Sequence, residues 1–365
     1  MKVCHLTSVH KSTDVRIFYK ECCSLSKAGY KVYLISPNVI DEILENVSIV
    51  GIKTYNNRLL RMTKTVWNVY KKAKIIDAKI YHIHDPELLV IGLLLKARGK
   101  VVIYDSHEDL PRQILDKPWI NPLLRRLISK LTEYVENFIS RRYNAIVAAT
   151  PTIKNRFVRI NPNTVNINNY PIINVNNSMF PWNERKNEIC YIGGIFKKRG
   201  IVELVEALEY LPDNIKLNLA GNFSPTELKG ELIKKKGWNK VIELGFVGRE
   251  KINEILAYSK IGIVTLHPTE SYLDSLPVKM FEYMSAGIPV IASDFLLWKS
   301  LIEENNLGIC VDPLDPKAIA EAILYLFKNE KSMEQMGING RKAVQEKYNW
   351  NNEENKLLKL YKSLE

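Results

Sequence analysis

At 365 residues the chain exceeds the roughly 250–300 at which one hydrophobic core stops growing, so two domains are expected. Its 46% hydrophobic and 25% charged residues are ordinary for a globular protein, and the longest apolar run, residues 88–95, is far short of the ~20 needed for a membrane-spanning helix. The net charge of +12 is uneven: residues 1–175 hold 27 Lys and Arg against 14 Asp and Glu, the remainder 25 against 26. The first half is therefore expected either to meet something anionic or to carry a plain solvated basic surface.

The opening MKVCHLTSVHKS reads as a first strand rather than a signal peptide. VCHLTS (3–8) leads into a helical stretch ending near Ala28-Gly29, and KVYLIS (31–36) follows. The stretch NNRLLRMTKTVWNVYKKAK (56–74) is basic with interleaved aromatics. IYHIH (80–84), VVIYD (101–105), AIVAAT (145–150) and VNI (165–167) continue the strand series. Between them, NPLLRRLISKLTEYVENFISRRYN (121–144) spaces its apolar residues helically at 123, 124, 127, 128, 131, 135, 138 and 139. Arg125, Arg126, Lys130, Arg141 and Arg142 lie on or beside the other face. Such a helix either lies on an anionic leaflet or buries its stripe in the domain core.

The Asn- and Pro-rich NNYPIINVNNSMFPWNERKN (168–187) is the natural junction. Beyond it EICYIGG, KLNLAG, VIELGF, IGIVTL, IPVIAS and LGICV alternate with helical patterns, and after Asn329 only helix remains. Two doubly wound α/β domains follow, at 1–175 and 176–345, with a last helix at 346–365. Open parallel sheets bind ligands beyond the carboxyl ends of their strands, so two such domains are expected to face a cleft. The five cysteines form no CxxC pair or Cys/His cluster at zinc spacing. Reduced thiols in a cytoplasm are expected, and no metal.

The stretch DSLPVKMFEYMSAGIPVIASDF (274–295) places Glu282 among apolar residues of a helix framed by Pro277 and Gly287, with Ser275 as its expected cap. The helix tip and Lys279 suit a phosphate. Glu282 lies five residues past Pro277, about 7.5 Å along the axis. That is roughly the reach from a nucleotide's diphosphate to its ribose hydroxyls, which a carboxylate accepts well. The alternative is a carboxylate satisfied by the protein itself.

Together with HLTSVHKSTDVRIFYKECCSLSKAGYKV, HIHDPELL, IYDSHEDLPRQIL, YIGGIFKKRGIVELVEAL and the terminal YNW…LYKSL, that stretch resembles glycosyltransferase family 4 over essentially the whole chain. The resemblance implies the GT-B fold: an N-terminal acceptor domain, a C-terminal nucleotide-sugar domain, and a final helix crossing back to the first. It implies transfer with retention of anomeric configuration. The family's two acids eight positions apart fall on Asp274, toward the sugar and shorter than the usual Glu, and on Glu282, toward the ribose. Backbone amides of Ser275 and Leu276 would meet the phosphates. Of the two cations in the family's Gly-Arg…Lys-Gly loop, Arg199 occupies the second position and Gly194, beside Gly193, replaces the first. Lys197, Lys198 or Lys279 would substitute, or Gly194 lets the diphosphate reach the backbone. The base would sit near Phe246 and Val247, with Phe246 either a stacking platform or a core residue. His107 matches a histidine beside the transferred sugar. Asp14, Arg16, His84 and Asp85 carry only an acceptor-side expectation, and His82 and His84 read as structural.

No Asp-x-Asp pair is suited to hold an ion against a diphosphate, so metal-free electrostatic catalysis is expected. The basic half favours a lipid-diphosphate-linked or other saccharide acceptor, and a peripheral place on the inner face of the cytoplasmic membrane. Two rivals remain: a GT-B-like sugar-nucleotide epimerase, and a basic nucleic-acid binder that would leave Glu282 and the second domain without purpose. A nicotinamide enzyme would need a GxGxxG turn, which follows neither VCHLTS nor EICYIG.

Overall fold

The computed structural model describes residues 1–37, 40–55, 57–117, 119–173 and 180–365. It divides into two compact units, Met1–Asn169 with Trp350–Glu365, and Tyr170–Asn349. The expected boundary between 175 and 176 lies outside the described residues.

The first unit is built on eight strands: β1 (Lys2–Leu6), β2 (Lys31–Pro37), β3 (Glu42–Leu44), β4 (Val47–Ile52), β5 (Ile80–Ile83), β6 (Val101–Ser106), β7 (Ala145–Ala148) and β8 (Thr164–Asn166). They lie in the order β3-β4-β2-β1-β5-β6-β7-β8, parallel except where β3 meets β4. That hairpin was not expected from the sequence. Its turn residues Glu45 and Asn46 take φ of 48° and 60° without a glycine to announce them. Alternation along β1 sends Val3 to one face and Cys4 and Leu6 to the other, each into its own buried cluster. The helix Trp350–Ser363 closes the Val3 face with Trp350, Leu357, Leu360 and Tyr361. Trp350 Nε1 also donates to Ser24 Oγ at 3.0 Å.

The helix Pro122–Ser140 decides between the two expectations for its apolar stripe. Asn121 caps it, its side chain accepting from Leu123 N. The face turned inward is mainly polar: Ser129 donates to Pro111 O at 2.7 Å, Glu136 accepts from Tyr104 at 2.7 Å and from Arg156 at 2.8 Å, and Ser140 is buried. The stripe faces out, with Leu123, Leu127 and Leu131 at 88%, 64% and 60% exposure and Leu124, Tyr134, Val135 and Phe138 also exposed. The guanidinium groups of Arg141 and Arg142 stack over Phe138. Among the described residues no helix is long and apolar enough to cross a membrane.

The second unit holds six parallel strands, β9 (Glu188–Ile192), β10 (Lys216–Ala220), β11 (Val241–Gly245), β12 (Ile261–Val264), β13 (Val290–Ser293) and β14 (Gly308–Val311), in the order β11-β10-β9-β12-β13-β14. Ile189 and Tyr191 enter one core, Cys190 and Ile192 the other. Both faces are buried, as all-parallel sheets require.

Candidate donor and acceptor sites

In the second unit, the chain leaves β9 through Gly193, at φ 122°, and Gly194, then makes a short turn at Lys197–Arg199. Gly200 follows at φ 70°, where an added Cβ would lie 1.8 Å from Thr265 O, so only glycine lets the turn pack there. This turn brings Arg199 back over its own loop, where Nη1 donates to Gly194 O at 3.3 Å. Lys279, in the first turn of the helix Val278–Ser285, reaches the same place. A methyl group at Gly193 would sit 3.5 Å from both Lys279 Nζ and Arg199 Nη1. Lys279 Nζ is buried without a hydrogen-bond partner, and no carboxylate pairs with either cation among the described residues. Burial, then the nearby Arg199 charge, holds the Lys279 pKa well below its ordinary value. Lys197 is drawn away to Glu231 at 2.5 Å.

The 278–285 helix corrects two expectations. Pro277 is its cap residue rather than a member of its first turn, and no side chain caps it. Ser275 instead donates its hydroxyl to Tyr272 O at 2.9 Å. Its far end is as expected: Gly287 at φ 71° lets its own N–H reach Met284 O at 3.0 Å and the Ile288 N–H reach Tyr283 O at 3.2 Å. Met280, Phe281, Tyr283 and Met284 form the buried face. Glu282 is on another face, one-fifth exposed, and accepts from Arg249 Nη1 at 2.7 Å. It is thus neither fully buried nor unpaired. Asp274 is exposed, and Leu276 packs against the core. Val247 also packs inward, whereas Phe246 is 80% exposed and is no core residue.

In the first unit a pocket of about 440 Å³ opens beyond the carboxyl ends of β5 and β6, with His10, Asp14, His84, Asp85, His107 and Glu108 in its wall. Asp14 caps the helix Val15–Cys22, accepting from Arg16 N at 2.9 Å and Ile17 N at 3.0 Å. Burial raises its pKa, but the His10 hydrogen bond and the Ile17 amide more than offset that and hold the carboxyl well below its usual range. Arg16 is buried and forks onto Asp105 at 3.0 and 2.9 Å, while Nη1 donates to Ile167 O at 3.0 Å. Asp85 is buried too, accepting from Thr7 Oγ1 at 2.8 Å and Ser8 N at 2.6 Å. Arg16 also lines the pocket, its guanidinium held by Asp105.

His107 is partly exposed, its Nε2 2.9 Å from Asp105 Oδ2 and 3.0 Å from His84 Nδ1. A carboxylate can only accept, so Asp105 selects the tautomer with hydrogen on Nε2, leaving His107 Nδ1 as a base. Behind it, His84 Nε2 lies 2.9 Å from His5 Nδ1, and Tyr361 Oη lies 3.2 Å from His5 Nε2 and 2.8 Å from His82 Nδ1. Burial lowers the pKa of all three buried imidazoles, that of His84 to about 4.

Two family models divide the chain between them: Glycosyltransferase Family 4 matches residues 15–167, and Glycosyl transferases group 1 matches residues 175–343. The chain belongs to the family 4, group 1 glycosyltransferases. An uncharacterized glycosyltransferase of Methanocaldococcus jannaschii is 27% identical over 48% of this chain and 44% of its own length. The lipopolysaccharide glucosyltransferase WaaG of Escherichia coli is 24% identical over 38% of this chain and 37% of its own. The chain thus spans less than half the length of these curated relatives. Anabaena HepE, solved in complex with UDP-glucose, superposes with a TM-score of 0.76 at 16% identity, over 100% of both chains. That likeness establishes the GT-B fold.

For a family 4 chain, three site neighbours escaped the sequence reading. His10, 3.5 Å from Asp14 and 3.4 Å from Asp85, lies in a stretch without periodicity. Asp105 was seen only as a strand-end acid, since its partner Arg16 is 89 residues away. Arg249 follows the GFVG stretch, but only the fold brings it to Glu282.

Proposed function

We propose that the protein moves a sugar from a nucleotide-sugar donor to a lipid-linked saccharide acceptor, in surface polysaccharide or glycolipid assembly, with retention and without a divalent ion on the diphosphate. One observation carries the reading: Arg199 and Lys279 converge beside Gly193 and Gly194 without an acidic partner. Two unneutralised cations against bare backbone suit a diphosphate.

In this scheme the diphosphate lies against Gly193 and Gly194, with the amides of Ser275 and Leu276 on its other side. Glu282 takes the ribose hydroxyls, exchanging Arg249 for them, and the base stacks on exposed Phe246 beside Val247. Asp274 contacts the transferred sugar, and His107 is the acceptor unit's polar group for the sugars that react. As the sugar C1–O bond to the β-phosphate breaks, Lys279 and Arg199 stabilise the departing charge, the preorganised electrostatics that usually supply the largest catalytic term. The acceptor oxygen bonds C1 on the same face, and its proton passes to the leaving phosphate oxygen. Asp14, Arg16, His84 and Asp85 shape the acceptor pocket.

The exposed leucine face of the 122–140 helix, flanked by arginines, supports docking on an anionic leaflet at the inner face of the cytoplasmic membrane. The lipopolysaccharide substrate class in the WaaG name supports a glycolipid acceptor. A thermal-shift panel of nucleoside diphosphates and their sugars tests the donor. One base should raise the melting temperature by mass action, and no shift with any member at saturation overturns the reading.

A further inference from the structure

Three imidazoles and one carboxylate meet inside the first unit, behind the acceptor pocket, whose wall His84 shares. β1 and β5 pair with His5 beside His82, His84 follows two residues on, and Glu21 comes from the 15–22 helix. All four are buried, none more than 2% exposed, and their ligand atoms lie within 4.8 Å of one another. Glu21 Oε2 stands 3.8 Å from His5 Nδ1 and 3.9 Å from both His82 Nδ1 and His84 Nε2. Neither Glu21 oxygen has a hydrogen-bond partner, although Arg16 Nε approaches Oε1 to 3.1 Å. Such a burial costs several kcal/mol if the carboxylate is left so.

The separations are too long for N–H···O hydrogen bonds. They lie close to the spacing of atoms that share one metal, since tetrahedral bonds of about 2.0–2.2 Å put ligands roughly 3.3–3.6 Å apart. We propose that His5, Glu21, His82 and His84 bind a single zinc-class divalent ion that holds β1, β5 and the 15–22 helix together. Three imidazoles with one carboxylate suit zinc; magnesium and calcium prefer all-oxygen shells. Four protein ligands leave no open position, so the ion is structural and separate from the diphosphate site in the other unit.

The surroundings fit ligation. With Nδ1 on the ion, His5 keeps Nε2–H for Tyr361 Oη at 3.2 Å. With Nε2 on the ion, His84 gives up its 2.9 Å contact with His5 Nδ1, the two nitrogens parting by about half an ångström, and turns Nδ1–H toward Asp105 Oδ2 at 3.4 Å, the carboxylate–histidine–metal arrangement that fixes ligand tautomers. The Tyr361 hydroxyl gives up His82 Nδ1 to the ion. His82 Nε2 alone is left without a partner.

The test is metal analysis of the full-length wild-type protein expressed with zinc in the medium. About one zinc per chain should survive dialysis against EDTA and be lost on unfolding in EDTA. Refolding should then need zinc, and refolding with Co²⁺ should give the strong visible absorption of tetrahedral cobalt. Glu21→Gln and His82→Asn, where they fold, should each cut zinc content at least fivefold. Less than a tenth of an equivalent of zinc, with equal refolding in EDTA and in zinc, overturns the proposal whatever the variants do.

Discussion

Lys279 Nζ lies 3.7 Å from the centre of the Tyr191 ring, beside Gly193 with Arg199, and has no hydrogen-bond partner among the described residues. An ammonium so placed is short of anions, and its pKa falls below the ordinary 10.5. A bound diphosphate raises it again. Between the lowered free value and the raised bound value, binding must take up a proton, and affinity must fall as pH rises through that window. Calorimetry in buffers of different ionisation enthalpy should show uptake of up to one proton within that window in the wild type and none in Lys279→Met. The same substitution should weaken nucleoside diphosphate binding about 10- to 100-fold, the worth of one or two charge-assisted hydrogen bonds.

Glu282 and Arg249 should respond in opposite directions. Glu282→Ala removes the ribose acceptor and should raise the Kd for the nucleotide sugar about 10- to 150-fold, at roughly 1.5–3 kcal/mol. Arg249→Ala releases the carboxylate from a pair whose arginine is more than half exposed, worth about 1 kcal/mol, so affinity should hold or improve up to about fivefold. Titration calorimetry separates the two, and unchanged affinity in Glu282→Ala removes the ribose assignment.

His107→Ala should lower kcat by about 10- to 150-fold while leaving nucleoside diphosphate affinity unchanged, as loss of one polar contact to a reacting sugar would. Asp105→Asn should act differently, because it leaves Arg16 buried opposite a neutral amide. Denaturant titration should show a loss of about 3–5 kcal/mol in stability.

Leu127→Asp with Leu131→Asp should leave the melting temperature within a degree or two, since both side chains already meet water. Each buried leucine is worth about 1.5–3 kcal/mol, so sedimentation with anionic liposomes should fall at least tenfold. Wild-type sedimentation indifferent to anionic lipid counts against membrane docking.

Initial transfer rates should be unchanged on adding EDTA, since the diphosphate is held by Arg199, Lys279 and backbone. An immediate loss restored by magnesium would refute that scheme. Slow loss over hours through unfolding points instead to the buried histidine cluster.

The fold was legible because parallel strands buried on both faces read as short apolar runs such as YIGG and IVTL, each followed by glycine or polar residues. The β3–β4 hairpin was not, because Glu45 and Asn46 turn the chain without glycine or proline. Glu282 and Lys279 stood out as charges within an apolar helix. Arg249 did not, since it reaches Glu282 only through a tertiary contact, and Arg199 was marked only by the family pattern. For the 122–140 helix, spacing alone located the stripe but not its direction. Burial of Ser129 and Glu136, through hydrogen bonds to residues distant in sequence, and of Ser140 decided that.

Because Trp350–Ser363 completes the first unit, the chain begins that unit, finishes another, and only then returns to supply its last layer. Two leucines and two aromatics from this segment contribute roughly 6–12 kcal/mol of burial, about the whole net stability of a typical domain. On the ribosome the usual sequence of events, with the N-terminal domain maturing first, is therefore reversed. Residues 170–349 can settle while the opening half waits, its sheet only partly covered on one side by the 15–27 segment, until Tyr361 has left the exit tunnel. A chain stopped before residue 350 should lose the half that was synthesised first.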